Sequence, residues 1–193
     1  MNPSTDPLSA AARAVLRANV DGAYTRLVVH SGAADARPAP AELASLTPET
    51  VLSTPPKSRD DAAAMLAGLW LWHDALDASH RISQSLHTAS GSFWHAIMHR
   101  REGDFSNSKY WYRSVGSHLV FDAIAANVAA ILNPLPADKS LLRLVRGGWN
   151  PDALVDLAEE LDRQPDQRLE PFVAVQKLEW RILFDHCARE AVA

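Results

Sequence analysis

One cysteine, Cys187, stands in 193 residues, which excludes an internal disulfide and fits a reducing compartment. No stretch approaches the ~20 consecutive apolar residues of a membrane span. Leu69-Trp70-Leu71-Trp72 is the most apolar run, and His73-Asp74 ends it. The first residues, Met1 to Pro7, lack the basic start and apolar core of a secretory signal. A positive excess is missing too: the formal net charge is −4, so no global field draws the chain to nucleic acid or to an acidic membrane surface. There is no period-2 alternation and no internal repeat, which argues against a sheet domain or a solenoid. His-Glu-x-x-His is absent, and Arg146-Gly147-Gly148 is too poor in glycine pattern for a phosphate loop. These absences predict a soluble cytoplasmic protein with no membrane partner and little prospect of a nucleic-acid one.

What is present reads as helix. The length suits one domain, residues 1–193, and 47% hydrophobic with 22% charged residues is a globular profile. Ala-rich residues 8–31 predict a first helix with Gly32 as its stop, followed by a Pro-rich connection over 33–57 that has room for a short helix near Glu42. Asp60 or Asp61 is expected to cap a continuous helix to His87, and Ser90 or Ser92 a second one through Glu102, closed by Gly103. Further helices are expected near 107–115, 118–132, 141–145, 151–164 and from 170 onward. The expectation is an all-α single-domain bundle of about six to eight helices.

Bulk composition is ordinary, so the crowding between Trp70 and His118 needs a reason. Six of the eight histidines and four of the six tryptophans fall there. On a helix at ~100° per residue, His73, Asp77, His80, Gln84 and His87 lie within about 80° of one another. A solvated row would normally contain Lys and Glu, and this one contains neither. In the next helix His95, His99 and Glu102, spaced i, i+4, i+7, lie within roughly 60°. Two imidazoles one turn apart with a following carboxylate can converge on a divalent cation, and these donors suit zinc, manganese or non-haem iron. The five-residue turn between the helices permits a hairpin that sets His80 or His87 opposite His95. The candidate metal ligands are therefore His80, His95, His99 and Glu102, with His73, Asp77 and His87 as alternates. The competing reading is that each histidine is separately satisfied by a backbone carbonyl or a carboxylate.

A second chemistry reads the same stretch as an anion pocket. Arg100, Arg101, Lys109, Arg113 and His118, with the free N–H groups at the start of the Asn107 helix, could grip a carboxylate or phosphate, walled by Trp94, Tyr110, Trp111 and Tyr112. Against it, the arginines could pair with nearby carboxylates and knit helices together, and Phe93 and Ile97 share a face that suits plain core. Nucleophilic catalysis has little support. His186 adjoins Cys187, but adjacent helical residues point apart, and Cys187 is expected to be buried and inert.

The run from Gly91 through Phe93-Trp94-His95 and His99-Arg100-Arg101-Glu102-Gly103-Asp104 to Tyr110-Trp111-Tyr112-Arg113 resembles the signature of an uncharacterised all-helical family. Leu76 to Gln84 belongs to the same pattern, so the resemblance covers about residues 65–120. It implies a helical unit there and carries no catalytic residue or cofactor. Two functions of different class follow. One is a protein binding a small anionic ligand or a divalent metal, with a metal-dependent hydrolase-like activity as its enzymatic form. The other is a non-enzymatic interaction or self-association module using exposed Trp and Tyr.

Overall fold

In the computed structural model, which describes residues 7–29 and 38–193, ten helices succeed one another among the described residues. They are α1 (Ala10–Arg17), α2 (Ala41–Ser45), α3 (Arg59–Trp72), α4 (Leu76–Ser83), α5 (Ala89–Glu102), α6 (Phe105–Val115), α7 (Phe121–Leu132), α8 (Lys139–Arg143), α9 (Pro151–Arg163) and α10 (Leu169–Glu190). The fold is all-α. Its only β-type pairing among the described residues is an isolated bridge between Leu8 and Leu52. No described helix is long and apolar enough to cross a membrane. The expected stop at Gly32 and the start of the 33–57 connection lie outside the described residues.

Most boundaries follow capping chemistry, sometimes with a different residue in the role. Ser58 rather than Asp60 or Asp61 caps α3, its Oγ accepting the Asp61 N–H. Thr88 rather than Ser90 or Ser92 caps α5. Asn150 caps α9 with Pro151 in the first turn, and Gly103 closes α5 in the left-handed region at φ 87°.

The helix count exceeds expectation chiefly because residues 61–87 are not one helix. The chain breaks after His73, with Asp74 at φ 58°, a conformation Asp tolerates better than most residues. The break turns the His73 ring to the Val15 carbonyl (Nε2···O 3.0 Å) and the Asp74 carboxylate to Arg101 (2.6 Å). The first helix is also shorter than expected, ending at Arg17 and giving way to turns through Tyr24.

Helix α5 lies at the centre. Every residue from Ser90 to Arg101 is buried, so it shows no amphipathic stripe and packs against α3, α4 and α6 at once. Gly68 on α3 makes room for it: a Cβ there would stand 2.8 Å from the Trp94 ring. Ser108 on α6 donates to the Ala96 carbonyl (2.8 Å), fixing α6 along α5. Helix α10 closes the far side against α3 and α7, with Trp180 donating to the Gly68 carbonyl (2.8 Å).

Candidate metal centre

The turn between α4 and α5 is tight because residue 91 has no side chain. A Cβ on Gly91 would lie 2.4 Å from Leu86 Cβ, so only glycine lets the chain fold back this closely. The hairpin so formed brings His80 of α4 over His95 and His99 of α5. Ring centroids are 4.8 Å apart for His80–His95, 5.3 Å for His80–His99 and 4.7 Å for the stacked His95–His99 pair. One ring nitrogen from each of the three lies within 4.8 Å of those of the other two.

The three imidazoles are held differently. His99 Nδ1 is 2.6 Å from Glu102 Oε1, one turn further along α5. That contact orients the ring and leaves Nε2 for a ligand, the carboxylate–imidazole arrangement found behind metal-binding histidines. His80 sits at the partly exposed edge. His95 is 2% exposed, and neither of its ring nitrogens has a hydrogen-bond partner among the described residues. Trp111 from α6 stacks on it with centroids 3.9 Å apart and planes 20° from parallel. Burial, reinforced by the neighbouring His99 and His80, pushes the His95 pKa down to about 3, so at neutral pH the ring is an uncharged donor with no proton to displace.

Of the other expected ligands, Glu102 approaches His99 from behind and is not among the converging nitrogens. It forms a second group with His99 and Asp104, but Asp104 already caps α6 by accepting from Asn107. His73 is tied to Val15, while Asp77 and His87 are exposed and belong to neither group.

The expected anion-pocket residues do not share a site. The fully buried Arg100 guanidinium binds Glu179 (2.5 Å) and Tyr112 Oη (2.6 Å). Tyr112 in turn donates to the other Glu179 oxygen (2.8 Å). Arg101 is also fully buried, paired with Asp74 and lying 4.2 Å over the Tyr24 ring. Lys109 pairs with Asp156 on α9. Trp94 is enclosed in the core, Tyr110 is exposed, and only Trp111 stands against the histidines.

A second buried group went unread in the sequence because its members come from α5, the α6–α7 loop and α10. The Val120 N–H donates to His118 Nδ1 (3.3 Å), which places the ring proton on Nε2, facing Ser90 Oγ at 3.2 Å. His186 meets His118 edge-on at 4.9 Å. With Nε2 donating, His118 cannot take the serine proton, so this is not a nucleophile–base pair. Burial and then His186 push the His118 pKa down to about 4. Cys187 is fully buried and its thiol is pushed up to about 12, the inert state expected of it.

No protein-family model matches the chain, and no curated protein or solved structure matches it either. The resemblance at residues 91–113 therefore brings no residue roles, and function rests on the chemistry of the site.

Proposed function

We propose that this protein binds a single divalent transition-metal ion through His80, His95 and His99. The observation that carries the reading is His95, a buried imidazole with two unpartnered nitrogens, one of them within ligand spacing of two further imidazoles. Leaving such a group unpaired is costly, and a metal ion is the partner that this donor set and geometry favour. Three imidazole nitrogens suit zinc first and iron or manganese less well, and they leave a coordination position open. An ion held that way lowers the pKa of a bound water, which supports a hydrolase-like activity as the enzymatic form of the reading. Glu102 then serves as the carboxylate that orients His99.

Metal analysis of tag-free protein, followed by zinc titration of the chelated form, tests this. One bound ion per chain and a rise in melting temperature on adding zinc are expected. His95→Ala should abolish both while the metal-free protein keeps its helical fold by circular dichroism. No bound zinc, iron or manganese together with an unmoved melting temperature would end the proposal.

A further inference from the structure

A groove of about 310 Å³ lies where the end of α6 meets the start of α9, apart from the histidines. Arg113 enters it from α6 and Arg146 from the loop before α9, and both are exposed. Neither makes an ion pair or hydrogen bond among the described residues, whereas Arg100, Arg101 and Arg168 are all matched to carboxylates. Between the two arginines the wall is backbone. Gly147 and Gly148 adopt φ 82° and 122°, and a Cβ built on either meets no atom within 4 Å, so this backbone borders open space.

The groove ends at the first turn of the thirteen-residue α9. There Pro151 carries no N–H and the Asn150 side chain takes that of Ala153, so the Asp152 N–H has no intrahelical acceptor. Trp149 forms part of the same wall. It is 8% exposed, and its indole N–H has no partner among the described residues. A buried donor left unpaired points to an acceptor supplied from outside the protein.

We propose that this groove binds a phosphate-type oxyanion between Arg113 and Arg146 at the N-terminus of α9. Two guanidinium forks offer paired donors that match phosphate oxygens, and the helix end adds partial positive charge. The glycine pair alone is too poor in pattern to suggest this. Arg113, distant in sequence, completes the site. Asp152 also lines the groove without an ion pair to either arginine, so its carboxylate weakens anion binding. The inference is independent of the metal reading, although α6 serves both sites by carrying Trp111 to His95 and Arg113 to the groove.

Calorimetric titration with inorganic phosphate at constant ionic strength, chloride replacing it in the control, tests the site on untreated and on chelator-treated protein. Saturable binding that survives chelation is expected. Arg113→Gln and Arg146→Gln should each weaken it by about tenfold or more, and Asp152→Asn should tighten it. All three side chains are on the surface, and circular dichroism checks that the fold is retained. No saturable binding, binding indifferent to both glutamine substitutions, or binding lost on chelation would each overturn the proposal.

Discussion

At the scale of single residues, the two most strongly depressed histidines, His95 and His118, do different things. His95 is unpaired and so available to a ligand, whereas His118 is fully engaged and its neutral form is built into the core. With a folded pKa near 4 against an ordinary 6.5, His118 binds its proton more weakly in the folded chain than in the unfolded one. Its contribution is intact above pH 6.5 and is lost as the pH falls toward 4, where the unfolded chain takes up the proton first. Over that window the loss is on the order of 2 kcal/mol. We predict that His118→Asn, whose side-chain oxygen can still accept the Val120 N–H, flattens the fall in melting temperature between pH 6.5 and 4. An unchanged slope would show that other groups carry it.

Glu102 is the residue whose role shifted most between sequence and structure. Its spacing from His95 and His99 suggests a third ligand, yet its carboxylate rests on His99 Nδ1. For such an orienting carboxylate, Glu102→Gln is expected to weaken zinc affinity by roughly 10–100-fold rather than abolish it. Quenching of the Trp111 indole by a paramagnetic ion such as Co²⁺ offers a direct readout, since that ring lies against His95. Complete loss of binding in Glu102→Gln would return Glu102 to the ligand set.

At the scale of elements, the α4–α5 hairpin decides whether a centre exists. Its two helices and the meeting of His80 with His95 follow from patterns visible in the chain, histidines at i, i+4 spacing and a short interruption between helical runs, although the turn itself is residues 84–88 and Ala89, Ser90 and Gly91 already belong to α5. The break between α3 and α4 does not follow from such patterns. No Gly or Pro marks it, because what ends α3 is tertiary: His73 and Asp74 find partners on α1 and α5 that no local window contains. The same limit hid the fate of Arg100, whose partners Gln176 and Glu179 lie far along the chain on α10. Gly91 permits a sharp test of the hairpin. In Gly91→Ala the new methyl must push Leu86 away, at a cost of about 1–3 kcal/mol by denaturant unfolding. Because the push separates α4 from α5, zinc binding should weaken as well. Stability lost with binding unchanged would mean that His80 is not needed in the centre.

For the whole molecule, the question is what holds the hairpin against the rest. Arg100 on α5, Tyr112 on α6 and Glu179 on α10 form a closed network in the interior, joined by Gln176, whose Nε2 donates to the Arg26 carbonyl. Both charges are fully buried, so their mutual attraction first offsets two large desolvation penalties, and the net gain over an apolar pair is small. Removing one partner is different, because the other charge then stays buried and unmatched. Glu179→Leu alone is therefore expected to cost about 3–5 kcal/mol in chemical denaturation. Arg100→Met with Glu179→Leu should recover most of that loss, Tyr112 keeping a hydroxyl with no acceptor as the residual cost. If the double variant instead shows the sum of two single losses, the network is a net source of stability rather than a means of fixing how α5, α6 and α10 meet. Recovery with zinc binding intact would place the metal centre's geometry in the hairpin itself, and recovery with binding lost would place it in the alignment of the three helices.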